Sequence, residues 1–235
     1  MGLLDLPRQQ LQRPFFIDLT QRDGNFIVAG PTASGKAFFL RSLVLGLAAT
    51  HPPDDLLFYF VSRSAVLSLF EELPHCQAMI SPTDAERIMR LFAFLEEETT
   101  RRVALLRANR TDNMAALRAA HPRLNLPALL VLFDDFSDFI ADYPDRLSEI
   151  EGLASAAKQV DLHLVLSVAS LRSVHPKIQQ NMLNRLALGV KNNSDTLEIL
   201  GQRANPLPEI PGRGYTAEEQ EVIECQIAAP LRTRG

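Results

Sequence analysis

A glycine-rich stretch lies between a short apolar run and a long segment with helical periodicity. The run at 25–29 predicts a buried strand, and apolar residues that recur every three or four positions predict a helix over 35–50. A glycine-rich turn between strand and helix lets backbone N–H groups converge on an anion at the helix N-terminus. The spacing G-x-x-x-x-G-K is that of a phosphate-binding loop. The candidate nucleotide-binding residues are Gly30, Pro31, Thr32, Ala33, Ser34, Gly35, Lys36 and Ala37.

Within this loop Lys36 would neutralise the β- and γ-phosphates of a nucleotide. Such a site needs an acid at the end of an apolar strand, and the run at 129–133 ends in Asp134 and Asp135. Asp134 would hold a magnesium-bound water, and Asp135 stands where a glutamate often polarises the attacking water. The alternatives are a glycine-rich turn with a solvated lysine and two acids that cap a following turn. We take Asp134 and Asp135 as the catalytic candidates.

Apolar runs alternate with helical segments along the whole chain, which is typical of an α/β protein with a mostly parallel sheet flanked by helices. Its 235 residues favour one domain over two. Strands are predicted at 15–19, 25–29, 56–61, 78–80, 128–133, 162–168, 186–190 and, as a late edge strand, 222–227. Helices are predicted at 35–50, 83–108, 147–158 and 195–201.

Composition excludes several classes of function. The net charge of −4 and the pI of about 5.8 provide no basic field for a nucleic acid, which makes such a partner unexpected. The two cysteines, Cys76 and Cys225, have no metal-ligand spacing. The apolar runs are shorter than the ~18 residues of a membrane span, so we expect no direct membrane contact.

Several short elements add a resemblance to a known family. They are the opening segment 2–7, the Leu-Pro-His of 73–75, the His-containing strand 162–166 and the Pro-Gly-Arg-Gly of 211–214. In this order and spacing they resemble the FtsK/SpoIIIE P-loop translocases, and among them the ATPase domains of the EccC-type (EssC-type) motor of type VII secretion. The likeness covers nearly the whole chain.

The resemblance implies a RecA-like core that binds ATP and Mg between neighbouring domains. It implies one domain over 1–235, with a lead-in segment and first strand at 1–22 and the core at 23–235. It also implies a cytoplasmic domain of a membrane-anchored protein. The implied partners are sister ATPase domains of the same motor, together with an inter-domain linker or the C-terminal signal of a secreted helical substrate.

Four departures from the family pattern weaken the predicted catalysis. Ala37 has no hydroxyl for magnesium, and Asp135 is one methylene shorter than glutamate. A Gln-Arg pair that senses the γ-phosphate in many members is replaced by Ala169 and Ser170. Lys158 stands near a family arginine and lacks its bidentate fork.

We therefore expect a degenerate ATP-binding domain with weak or no hydrolysis and a regulatory or substrate-docking role. Two alternatives stay open: an active translocase motor for protein or double-stranded DNA, and a pseudo-ATPase that binds no nucleotide.

Other residues have simpler interpretations. His75 and His163 are expected to be structural, and the arginines of 101–123 to form a solvated face. The pairs Glu97 with Arg101 and Glu98 with Arg102 have helical spacing. Arg185 and Arg213 each have two equally good interpretations. Each could contact the nucleotide of a neighbouring domain or pair with a local loop. Core or inter-domain packing is expected for Phe38, Phe39, Phe92 and Phe94.

Overall fold

The computed structural model describes residues 1–6, 10–17, 24–218 and 221–228. Its strands are β1 (Gly2–Leu6), β2 (Leu11–Phe15), β3 (Phe26–Ala29), β4 (Leu56–Ser62), β5 (Cys76–Ile80), β6 (Ala128–Asp134), β7 (Leu162–Val168), β8 (Asn184–Leu188), β9 (Arg213–Glu218) and β10 (Glu221–Ile227). Its helices are α1 (Lys36–Thr50), α2 (Ala65–Ser68), α3 (Ala85–Asn109), α4 (Met114–Ala120), α5 (Phe136–Asp142), α6 (Leu147–Val160), α7 (Pro176–Gln179) and α8 (Asn193–Leu200). Short 3-10 helices span Pro144–Arg146 and Leu171–Ser173.

The described strands form a ten-stranded sheet in the order β2-β1-β10-β9-β8-β3-β7-β6-β4-β5. The strands from β8 to β5 in this order are parallel, and those from β2 to β9 form an antiparallel extension. The predicted α/β class with a mostly parallel sheet is confirmed. Parallel strands end at the same edge of the sheet, so the residues after β3, β6 and β7 are neighbours.

Two apolar cores lie on opposite faces of the sheet, because the side chains of each strand alternate between the faces. Ile27 joins the core beneath α3, α5 and α6, whereas the next residue, Val28, joins the core beneath α1. Helices therefore cover both faces of the parallel half. The central strands β6 and β7 are buried on both sides, which explains their nearly continuous apolar sequences.

The prediction of a late edge strand at 222–227 is wrong. Strand β10 lies inside the sheet, with β9 on one side and β1 on the other. The opening segment supplies the covering strand, and Leu4 is paired with Cys225. The predicted first strand at 15–19 is also displaced, since β2 ends at Phe15 and residues 18–19 lie outside the described residues.

Helices pack against both faces of the sheet. None of the described helices combines the length and the apolar character that a membrane span requires.

Candidate nucleotide-binding site

The predicted phosphate loop joins the end of β3 to the start of α1 at the carboxyl edge of the parallel strands. The Gly30 N–H donates to the Val168 carbonyl at 3.1 Å, which fixes the start of the loop to β7. Ala33 and Gly35 have left-handed backbone conformations, with φ of 64° and 105°. No described side chain caps α1, so its first N–H groups face the loop and can bind an anion.

Lys36 lies in the first turn of α1, and its side chain folds back over the loop. Its Nζ donates to the carbonyls of Gly30 at 2.6 Å and Pro31 at 3.1 Å. Burial lowers the pKa of Lys36, while the charges of Asp135 and Asp134 act in the opposite direction. The Lys36 cation is therefore close enough to Asp134 and Asp135 for both charges to act on it.

Asp134 ends β6 and is held by serines of the two adjacent strands. Its carboxylate accepts from the Ser167 hydroxyl at 2.7 Å and from the Ser62 hydroxyl at 3.5 Å. Burial raises the pKa of Asp134, and the bond from Ser167 partly opposes that shift. Sequence reasoning missed both serines, although each is a polar residue at the end of an apolar strand.

Asp135 has a structural task that the sequence analysis gave only as an alternative. Its carboxylate is the N-cap of α5 and accepts from the Ser137 N–H at 2.8 Å. One carboxylate oxygen is thus already committed to a helix end. The same side chain still acts electrostatically on Lys36.

A cleft of about 270 Å³ lies beside the phosphate loop, between the segments that follow β7 and β8. Gly30 and Pro31 form one wall, and Ala169 and Ser170 form another. The Ser170 hydroxyl donates to Glu198 at 2.8 Å. Ala169 and Ser170 therefore border the cleft with a methyl group and with a hydroxyl that is engaged with a carboxylate.

The other cations from the sequence analysis do not reach this cleft. Lys158 is exposed in the last turn of α6, beside the start of β7 and hence at the opposite edge of the sheet from Lys36. The Arg185 guanidinium donates to three backbone carbonyls, those of Gln179, Met182 and Ile199. Arg213 is paired with Glu224. Local pairing is the arrangement found for the last two.

The arginines after Glu98 are not all solvated, which corrects the prediction. Arg102 is 1% exposed and donates to Glu98 at 2.7 Å and to the Val160 carbonyl at 2.8 Å. Arg101 is paired with Glu98 instead of Glu97. Hydrogen bonds from both arginines lower the pKa of Glu98 against the opposing effect of burial.

The two histidines that the sequence predicts to be structural are both buried. His75 is stacked on the ring of Phe58, and its Nε2 lies 2.7 Å from the His51 carbonyl oxygen. His163 is 4% exposed, and burial lowers its pKa. The described residues contain no group of three metal-ligating side chains, so neither histidine belongs to one.

Comparison with known proteins gives the family. Residues 2–206 match the model of the FtsK/SpoIIIE family. The chain belongs to the FtsK/SpoIIIE family. Its relatives are type VII secretion ATPases: it is 27% identical to ESX-4 secretion system protein EccC4 of Mycobacterium tuberculosis over 235 residues, which is 98% of this chain and 19% of EccC4. It is 27% identical to the ESX secretion system protein EccC of Thermomonospora curvata, covering 93% of this chain and 17% of that protein.

Solved structures of EssC and EccC ATPase domains have the same fold. Geobacillus thermodenitrificans EssC (ATPases 2 and 3) superposes with a TM-score of 0.91 at 21% identity, covering 100% of this chain and 44% of that one. Thermomonospora curvata EccC (ATPases 2 and 3), in complex with a signal sequence peptide, has a TM-score of 0.87 at 26% identity, covering 97% and 42%. The fold is thus that of a RecA-like P-loop ATPase, and the chain spans less than half of these relatives.

Proposed function

We propose that this chain is a cytoplasmic ATPase-fold domain of a membrane-anchored type VII secretion motor. In this role it binds ATP or ADP weakly, hydrolyses it little and serves a regulatory or substrate-docking task. The observation that carries the proposal is the intact cradle formed by the uncapped start of α1, the left-handed residues Ala33 and Gly35, and Lys36. These groups fit the phosphates of a nucleotide.

The protein supplies fewer groups for binding magnesium than for binding the phosphates. Mg²⁺ in nucleotide sites is held by one or two carboxylates together with phosphate oxygens and water. Asp134 would supply the carboxylate through water, since its own oxygens already accept from two serines. Ala37 supplies no oxygen, so the ion would gain little from the protein.

Hydrolysis needs groups that this chain lacks or uses elsewhere. Asp135 caps α5 and reaches less far than a glutamate, and Ala169 provides no donor for the γ-phosphate. Positioning and electrostatic stabilisation supply most of the acceleration in phosphoryl transfer. The loss of several such groups together favours binding without turnover.

Calorimetric titration of ATP and ADP, with and without Mg²⁺, tests the nucleotide role. We expect affinities between about 1 μM and 1 mM, corresponding to roughly −8 to −4 kcal/mol. Lys36→Ala should abolish binding, while Lys177→Ala, which removes an exposed lysine paired with Glu151, should leave it unchanged. Nanomolar, strongly magnesium-dependent binding or turnover near one per second would favour the active-motor alternative. No binding at all would favour the pseudo-ATPase.

A groove at the β5 edge of the sheet supports the docking role. Its apolar walls are formed by β4, β5 and α3, and its volume is about 200 Å³. The lining residues are Tyr59, Ala78, Ile80, Arg87, Arg90, Leu91 and Phe94. Strand β5 lies four places from β3 in the sheet, and at ~4.8 Å per place this is about 19 Å. A helical peptide and a nucleotide would not compete.

The occupant we propose is the amphipathic C-terminal signal of a secreted helical protein or an inter-domain linker, and the peptide-bound EccC structure is consistent with it. Phe94→Glu should weaken a helical signal peptide at least tenfold. Met89→Glu is the control, because Met89 is exposed on the same helix outside the groove. Binding should change little between 50 and 300 mM salt, unlike binding to duplex DNA. Salt-sensitive binding to DNA alone would favour the DNA-translocase alternative.

The outer face of α1 supports stacking on sister ATPase domains. Phe38 and Leu45 are seven residues apart, which places them on one face of the helix, and they are 42% and 41% exposed. This face begins directly after the phosphate loop, so a domain stacked there would border the nucleotide. Phe38→Ser should weaken association with the neighbouring domain of the motor in analytical ultracentrifugation, whereas Phe16→Ser, at an exposed site beyond β2, should not.

A further inference from the structure

Ser34 fills a space that exists because Gly30, in the phosphate loop, and Gly189, directly after β8, have no side chains. It is 6% exposed, although it belongs to a loop at the edge of the sheet. A Cβ built on Gly30 would lie 2.6 Å from the Ser34 Oγ, and a Cβ on Gly189 would lie 2.8 Å from the Ser34 Cβ. Both distances are far below van der Waals contact. Gly189 follows β8 and is remote from the loop in sequence.

Gly212, in the turn before β9, also contacts the loop. The Gly212 N–H donates to the Ser34 carbonyl at 2.8 Å. A Cβ on Gly35 would lie 2.2 Å from the Gly212 nitrogen, so the two backbones are in direct contact. Gly189 and Gly212 have φ of 62° and 80°, which other residues rarely adopt.

Backbone hydrogen bonds join both glycines to the antiparallel strands of the sheet. The Gly189 N–H donates to the carbonyl of Arg213, the residue after Gly212, at 3.2 Å. The Gly212 carbonyl accepts from the Ile227 N–H at 2.8 Å, which joins the turn to the end of β10. We call Gly189 and Gly212 the glycine brace. The glycine brace contacts the phosphate loop on one side.

The conformation of the loop costs energy, although Lys36 donates to the carbonyls of Gly30 and Pro31. Inside the loop the Ser34 N–H donates to the Pro31 carbonyl at 3.2 Å, and the neighbouring Ala33 has a positive φ that costs energy for a residue with a side chain. Ordering free backbone costs conformational entropy. A loop that was disordered before binding would take that cost from the nucleotide affinity.

We propose that Gly189 and Gly212 are positioning residues that hold the phosphate loop ready for the nucleotide. The proposal rests on the nucleotide binding proposed above, but the support of the loop itself does not. The brace touches the loop at Ser34 and Gly35, next to the first turn of α1, and leaves the N–H groups of that turn free for phosphate.

The test compares two glycine-to-alanine variants with similar backbone strain. Gly201 has φ of 75°, close to that of Gly189, but a Cβ there would have no described atom within 4 Å. Gly189→Ala adds a methyl group that collides with Ser34, whereas Gly201→Ala adds it to open space. We expect both variants to fold, as checked by circular dichroism and thermal unfolding. ADP affinity should fall at least tenfold in Gly189→Ala and less than twofold in Gly201→Ala.

A second measurement separates the brace from the nucleotide role. Hydrogen exchange of the Ser34 amide, followed by NMR without nucleotide, should be at least tenfold faster in Gly189→Ala and in Gly212→Ala than in Gly201→Ala. Equal exchange in all three would overturn the brace, whatever the nucleotide affinities are. Faster exchange with unchanged ADP affinity would overturn its role in binding. If the unmodified chain binds no nucleotide, the proposed function and the positioning role both fail, and exchange alone decides whether the loop is braced.

Discussion

The Ser167 hydroxyl donates a 2.7 Å hydrogen bond to the Asp134 carboxylate, across the pair of adjacent strands that ends beside the phosphate loop. Ser62 reaches the same carboxylate from the strand on the other side. The acid is thus oriented by its two neighbours in the sheet before any ligand binds. Burial and function oppose each other at this acid, because an ionised carboxylate is costly to bury.

The first prediction concerns the pH dependence of stability at this acid. Burial raises the folded-state pKa of Asp134 above the unfolded value of 3.8, so its contribution to stability is full below that value and is lost as pH rises through the folded pKa. The asparagine of Asp134→Asn is neutral at every pH, so this variant does not lose stability as the pH rises. Its Tm should exceed that of the unmodified chain by ~2–4 °C at pH 7.5, corresponding to about 1 kcal/mol.

This advantage should shrink as the pH falls toward 3.5. Asp138→Asn, which removes an exposed carboxylate from the neighbouring helix, controls for the change of net charge. A variant that is less stable than the unmodified chain at pH 7.5 and equally stable at pH 3.5 would contradict the assigned direction.

The second prediction separates the two tasks of Asp135. As the N-cap of α5 it can be replaced by serine but not by alanine. Asp135→Ala should lower the free energy of unfolding by about 1 kcal/mol, while Asp135→Ser should change it by only a few tenths. Urea denaturation measures both. Equal losses in the two variants would show that the charge beside Lys36, and not the cap, is what stabilises the fold.

The third prediction is a gain of function at Ala37. A hydroxyl at this position would give Mg²⁺ the oxygen that the chain does not supply. Ala37→Ser should raise ATP affinity in the presence of Mg²⁺ by about tenfold, or ~1.4 kcal/mol, and leave it unchanged in EDTA. Calorimetry provides the test. Ala49→Ser places the same hydroxyl at an exposed position on the last turn of α1 and should have no effect.

The fourth prediction compares two arginines that share one carboxylate. Arg102 is 1% exposed and Arg101 is 49% exposed, and both donate to Glu98. Arg102→Ala leaves buried carbonyls and Glu98 without their donor and should cost about 3–5 kcal/mol of unfolding free energy. Arg101→Ala should cost less than about 1 kcal/mol. Urea denaturation at pH 7 distinguishes them, and similar losses would contradict the buried role of Arg102.

The local parts of the fold could be predicted from the sequence. The strand, loop and helix around Lys36 follow from short-range periodicity and one spacing, and β7 was predicted with its observed bounds. The spacing of Glu98 and Arg102 also predicts their pairing. The spacing does not predict that Arg102 also donates to the Val160 carbonyl, 58 residues further along the chain. With this bond the pair is buried and not on the surface.

Partners distant along the chain account for the other errors. Strand β10 has the composition of an edge strand, and only the pairing of Leu4 with Cys225 places it inside the sheet. Gly212 belongs to the Pro-Gly-Arg-Gly element that contributes to the family resemblance. Its contact with Ser34 depends on the arrangement of β8, β9 and β3, which no local pattern contains.

The neighbours of β3 in the sheet have a consequence for the order in which the protein can form. Phe26 is paired with Val165 in β7 and with Asn184 in β8, so the strand that carries the phosphate loop has no partner from the adjacent sequence. Contacts between such distant segments form late, because a long loop must close first. During synthesis the nascent chain must therefore emerge from the ribosome past β8 before the nucleotide site exists. The nucleotide that we propose for this site can therefore stabilise the domain only after β8 has paired with β3.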